Sequence, residues 1–322
     1  MVALVAVAAT LHVTWNVLLK TAADPLRAAT VGMAAGAVLL VPSAAVAWWL
    51  VDRPPIPPAG LALGLVSGAL EALYFWLLSA GYRRGDLSVV YPLARGTATL
   101  LAVTIGIVLL GERHGPVGYI GLASLLIGFL GLQRPWRALG RVWSRNRDGS
   151  ANRRRGGQDA AILFALATGV VISSYSALDR VGAQMVPPWL YAAILWASAS
   201  TSLVALAWLT SVRARRLATA AATATAAGPS IRDDVWASPL GAADRRGALA
   251  GVLGVVQYVL ILFALSIAPL SAVAPLRESA IVLASGWGAI RLGEAAGRRD
   301  AAGRIGAAAL IVVGAVLLAF EG

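Results

Sequence analysis

Residues 90–112 (VYPLARGTATLLAVTIGIVLLGE) and 273–294 (VAPLRESAIVLASGWGAIRLGE) are two versions of one segment. Each is a long apolar run with a proline near its start, an arginine just after it, and Gly-Glu at its end. A proline inside a helix removes a backbone donor and interrupts the hydrogen-bond ladder. A chain that repeats such a broken helix is constrained to two halves of like build. The likeness extends outward: HVTWNVLLKTAA (12–23) aligns with ISSYSALDRVGA (172–183), and DLSVVYPL (86–93) with PLSAVAPL (269–276). Trp15 then matches Tyr175, Asn16 matches Ser176 and Lys20 matches Arg180. The second copy is one residue shorter between Pro275 and Glu294.

The solvent of these helices follows from composition. The 322 residues are 59% hydrophobic and 13% charged, with a mean hydropathy of +0.76. A soluble domain carries roughly 25% charged residues, so the chain belongs in a bilayer. A membrane helix needs about 20 apolar residues. Ten stretches qualify: 2–21, 28–51, 60–82, 86–111, 116–133, 159–182, 189–212, 247–268, 270–293 and 302–320. The expected fold is an all-α polytopic membrane protein in a cell (inner, cytoplasmic) membrane. Its units are residues 1–133 and 159–322, each a five-helix repeat, joined by an Arg-rich linker at 134–158. A flexible loop is expected at 213–246, where Ala, Thr, Gly and charge dominate. An odd number of spans per repeat turns the two copies upside down relative to one another, an arrangement used by secondary transporters with a site at the repeat interface.

Charge and motifs exclude several classes. The net charge of +12 sits between apolar runs, where it orients helices rather than binding nucleic acid. By that rule the arginine-rich odd loops face the cytoplasm and both termini face outward. The chain has no cysteine and two histidines, so thiolate chemistry is excluded and no metal site is expected. No nucleophile elbow, Gly-Lys-Ser/Thr phosphate loop or paired-histidine motif is present. No cofactor and no enzymatic activity are expected. Gly60, Gly64 and Gly68, and likewise Gly32 with Gly36, form small-residue ridges that let helices approach closely.

An ionisable residue in mid-helix costs about 2.5–3.5 kcal/mol on insertion scales and so faces the bundle interior with a partner. That criterion selects the site residues. His12 and Asn16 lie one turn apart on span 1, with Lys20 a further turn on and able to snorkel to the interface. Glu71 lies near the centre of span 3; a carboxylate there pairs with a cation, Arg95 being the nearest choice in pattern, or holds a proton. Arg95 follows Pro92 on span 4, with Tyr91 one turn before it. Pro275 precedes Arg277 and Glu278; since adjacent helical residues point about 100° apart, Arg277 is assigned to the cavity and Glu278 to a neighbouring helix. Tyr175 and Gln257, with Tyr258 beside it, complete the lining. Asp179 and Arg180 are assigned to the membrane interface, Glu112 and Glu294 to helix ends, and most tryptophans to an interfacial belt.

These residues resemble the drug/metabolite transporter superfamily, in its EamA-like ten-helix branch, over essentially the whole chain. The most specific features are the Pro…Gly-Glu helices at 92–112 and 275–294 and the Trp15, Asn16 and Lys20 end of span 1. The opening AATLHVTWNVLLK also resembles a subgroup associated with phosphonate utilisation. The resemblance implies a central cavity and alternating access for small metabolites; the cavity residues point to a small polar or amphipathic one, with protons as the coupling ion if transport is coupled. It also implies both termini in the cytoplasm, opposite to the arginine bias. Expected partners are the metabolite, protons and membrane lipid, in a monomer or homodimer. Two other classes stay open: a non-transporting scaffold or sensor subunit, and a membrane-embedded enzyme.

Overall fold

The computed structural model describes residues 1–20, 25–85, 87–133, 136, 152–225, 241–278 and 298–321. Among these residues it contains helices and no strand: α1 Val2–Lys20, α2 Pro25–Leu50, α3 Pro58–Tyr82, α4 Leu87–Thr104, α5 Pro116–Gln133, α6 Asn152–Met185, α7 Pro188–Thr225, α8 Ala242–Ile267, α9 Leu270–Arg277 and α10 Arg298–Glu321. Each coincides with one of the ten apolar stretches. Proline opens α2, α3, α5 and α7, where its missing N–H has no helical partner to lose. Among the described residues six helices are long and apolar enough to cross a membrane: those of Arg27–Leu50, Pro58–Tyr82, Val89–Leu109, Asp159–Met185, Pro188–Leu209 and Asp244–Ile267.

Some boundaries differ from the sequence reading. Helix α7 continues to Thr225 and so takes in the first part of the stretch read as a loop. Helix α6 begins at Asn152, within the stretch read as a linker. The rest of both stretches lies outside the described residues, except Trp136 and residues 241–246. So do residues 279–297, which carry the end of span 9 and Glu294.

The halves interleave. Helix α3 packs on α6 and α7, α1 and α2 on α8, α4 on α6, α2 on α7, and α5 on α10. Every one of these contacts joins a helix from residues 1–133 to one from the second half, so the core lies between the halves. The glycine ridges are where backbones meet. A Cβ at Gly68 would stand 2.7 Å from the Ala199 nitrogen of α7, and one at Gly32 would stand 2.8 Å from the Gly247 carbonyl of α8. Gly60 and Gly64 likewise face Val186 and Ile194. The ridges are used inside the bundle, as close van der Waals packing in lipid requires.

The repeated Gly-Glu has a structural cause in its first copy. Helix α4 ends in a π turn at Ile105–Leu109. A π turn closes i→i+5 bonds and so accommodates one extra residue; this is the copy with one residue more. Gly111 then adopts φ +68°, a left-handed conformation that glycine reaches without a Cβ clash. The chain doubles back there, and the Glu112 carboxylate accepts from the Leu270 and Ser271 backbone N–H groups at 2.6 and 2.9 Å and from Ser271 Oγ at 2.7 Å. Glu112 therefore caps the N-terminus of α9, in the opposite half, where orphan donors and the positive end of the helix favour an anion.

Candidate functional site: a polar cavity between the halves

A cavity of about 60 Å³ lies among α1, α2, α3, α4, α6, α7, α8 and α9. A water needs roughly 10–15 Å³, so the space holds a few waters. Its lining is mostly aromatic and small: Trp15, Tyr74, Phe75, Tyr175, Trp196 and Tyr258, with Ala and Gly of α2 and α8. His12, Glu71, Arg95, Gln257 and Arg277 supply the polar groups. All but Glu278's neighbourhood of the polar set comes from mid-helix positions, the places a bilayer makes expensive for charge.

The charges are arranged around Glu278. Arg95 Nη1 donates to Glu278 Oε1 at 2.9 Å, with side chains only 7% and 5% exposed. Arg277 Nε lies 3.7 Å from the same oxygen. Arg95 Nη2 stands 3.4 Å from His12 Nε2; arginine has no acceptor, so Nε2 accepts at that contact. The His12 ring meets Trp15 edge-on at 5.1 Å. Among the described residues, Glu71 Oε2 and Arg277 Nε are buried without a hydrogen-bond partner.

Of the residues selected from sequence, His12, Glu71, Arg95, Tyr175, Gln257 and Arg277 come together in this cavity. Tyr91 stands behind them: its ring centroid is 5.7 Å from Arg95 Cζ, within cation–π range, but it does not line the cavity. The Asn16 side chain lies outside the described residues, as does that of Lys20. Pro92 and Pro275 are each the sixth residue of their helices, α4 and α9. Trp15 and Tyr175, matched in the repeat, both line the cavity.

One assignment changes, and one alternative closes. Of the two readings open for Glu71, the pair with Arg95 is not formed: Arg95 pairs with Glu278, which bonds to a neighbouring helix as its assignment has it. Asp179 is not interfacial. It is 1% exposed and accepts from Ser67 Oγ of α3 at 2.5 Å, from Tyr191 Oη of α7 at 3.1 Å and from Tyr258 Oη of α8. The physical reason is that α6 runs to Met185, which puts Asp179 nearly two turns inside. Trp196, which the sequence reading did not single out, lines the cavity; it stands eight residues into α7 and meets Tyr258 edge-on at 5.7 Å. Its depth within an uninterrupted apolar run was the available signal. Arg180, the next residue, donates to the Leu265 carbonyl and lies 3.6 Å from Glu112.

No protein-family model matches the chain. Over 67 residues, 21% of its length, it is 36% identical to the spermidine export protein MdtI of Salmonella arizonae. The match spans 62% of that protein, less than two thirds of its length. The chain also superimposes on a solved crystal structure over 99% of both chains, with a TM-score of 0.62 at 18% identity, which shows a shared fold. The chain is a multi-pass helical membrane protein. Its apolar helices of spanning length among the described residues support that, and the cavity is the place in it where polar chemistry is concentrated.

Proposed function

We propose that this protein is a secondary transporter of the drug/metabolite transporter type, moving a small zwitterionic or amphipathic metabolite across the inner membrane by alternating access. In this reading residues 1–133 and 159–322 are inverted five-helix repeats. Support comes from the helix pairs. Exchanging α1–α5 for α6–α10 turns the α3–α6 contact into α8–α1, α3–α7 into α8–α2 and α4–α6 into α9–α1. It leaves α2–α7 and α5–α10 unchanged. All of these pairs pack. The partial likeness to an export protein points the same way, and a transporter needs no catalytic step.

The observation that carries the substrate reading is the unequal pairing of the four charges. Glu278 takes the hydrogen bond of Arg95, which leaves Glu71 Oε2 and Arg277 Nε, the latter 3.7 Å from Glu278, without a hydrogen bond among the described residues, and both residues line the cavity. A solute with one cationic and one anionic group satisfies both, and its apolar part packs on the aromatic wall. Protons are the coupling ion in this reading, with Glu71 as carrier.

A ligand that binds the folded protein raises its stability by RT ln(1 + [L]/Kd), about 2.7 kcal/mol at a hundredfold excess over Kd. The test is thermal unfolding of the purified protein with L-tyrosine, spermidine and phenylphosphonate as zwitterion, cation and anion. The zwitterion is expected to raise the melting temperature most, and Glu71→Gln and Arg277→Gln each to abolish the rise. Stabilisation by the anion alone overturns this substrate reading. Stabilisation by spermidine alone replaces it with a cation site at Glu71 and its aromatic neighbours.

A further inference from the structure

The buried carboxylate of Asp179 has no role in the substrate reading above, yet its surroundings are built with care. Ser67, Tyr191 and Tyr258 bring hydroxyls to it from three different helices. Gly182 makes room for this: the Tyr191 ring occupies the place a Cβ would take. No lysine, arginine or histidine lies within ion-pair distance of Asp179 among the described residues. Tyr258 spans the wall, with its ring lining the cavity and its hydroxyl on Asp179. Ser67 stands one helical turn before Glu71 on α3, on the same face. A second acid, Glu71, is thus one helical turn from a ligand of the first; it is 6% exposed, lines the cavity, and its Oε2 is buried without a hydrogen-bond partner among the described residues.

We propose that Asp179 and Glu71 form a coupled proton-binding site, with Asp179 reached from the cavity through the hydroxyl of Tyr258. The transfer balances. Tyr258 gives its hydroxyl proton to an Asp179 oxygen and takes one from the cavity side, so one proton is bound and the tyrosine is unchanged. Ser67 of α3, Tyr191 of α7 and Tyr258 of α8 bond to Asp179; Glu71 of α3 and Arg277 of α9 act on it through their charges, and Tyr175 stands one turn before it on its own helix. Two like charges in one buried site do not ionise independently, and their protons come off in steps that belong to the pair. The use of this site rests on the transport reading, since a protonated and a deprotonated pair would mark two stages of a coupled cycle. Its existence does not.

The test is infrared difference spectroscopy of the full chain in nanodiscs, titrated over roughly pH 5–9, where buried carboxyls titrate. Carboxyl-labelled aspartate or glutamate assigns each carboxylic-acid C=O band. The wild type is expected to show one titrating band from each residue type. Asp179→Asn should remove the aspartate band and displace the midpoint of the glutamate band; Glu71→Gln should do the converse. Tyr258→Phe, which keeps both acids, should shift the frequency of the aspartate band. Absence of any titrating aspartate band in the wild type, or a glutamate midpoint unmoved by Asp179→Asn, overturns the proposal. A titrating pair in a protein that moves no solute leaves this site standing and defeats the transport reading; solute flux without the aspartate band does the reverse.

Discussion

Glu278→Gln should destabilise the protein more than Arg95→Gln, although each removes one half of the same ion pair. Breaking a buried pair by removing one partner costs about 3–5 kcal/mol, because the other charge is left uncompensated. Glu278 is the shared carboxylate, bonded to Arg95 at 2.9 Å and 3.7 Å from Arg277 through the same oxygen. Removing it leaves two buried guanidiniums without that carboxylate, so the loss belongs at or above the upper end, about 5 kcal/mol. Removing Arg95 leaves Glu278 with Arg277, whose side chain is 9% exposed and already within ion-pair distance. A short rotation lets Arg277 take the bond, so the loss there should fall to about 1–3 kcal/mol, the range for a charged hydrogen bond lost. Thermal unfolding of both variants in the same detergent, with insertion checked by expression in membranes, gives the comparison. Equal losses, or a larger loss for Arg95→Gln, would refute the placement of Glu278 as the common partner.

Other predictions concern packing and capping. Gly251→Ala places a methyl against the Gly32 backbone of α2 and should cost about 1–3 kcal/mol as overpacking. Gly306→Ala in α10 meets nothing within 4 Å among the described residues and should gain up to about 1 kcal/mol from helix propensity; a common sign for the two in thermal unfolding contradicts the packing described for α2 and α8. Glu112→Ala strips the cap from α9 and should cost about 1–2 kcal/mol, with faster amide exchange at Leu270 and Ser271. Glu112→Gln, which keeps one acceptor, should lose less. A cytoplasm-only reporter fused at Gly322 should fluoresce if the family topology holds, and stay dark if the arginine bias sets the orientation.

The helices were legible because a bilayer demands about 20 apolar residues per span: all ten apolar stretches contain helix, and among the described residues six helices are long and apolar enough to cross a membrane. Most of the cavity was legible for a related reason: His12, Glu71, Arg95 and Arg277 are polar residues in mid-span, where charge is costly enough to imply an inward face. What the sequence hid are contacts that depend on which helices become neighbours. Glu112 reads as a helix end, and only the fold reveals that the helix it caps lies 158 residues further on. The partner of Arg95 is 183 residues away, and nothing in the spacing of residues distinguishes it from Glu71. Asp179 was misplaced through an error of three residues in a helix boundary, since a span ending at 182 puts it at the membrane surface and one ending at Met185 does not.

The central claim is that this cavity binds a solute and carries it across a membrane, and flux into proteoliposomes tests it most directly. With the purified protein reconstituted, radiolabelled L-tyrosine and spermidine should be offered with and without an imposed proton gradient. The account predicts protein-dependent uptake of the zwitterion that a proton gradient accelerates. It predicts that Glu71→Gln abolishes or uncouples that uptake while thermal unfolding shows the variant still folded. Proton-accelerated uptake at the wild-type rate in Glu71→Gln would contradict it.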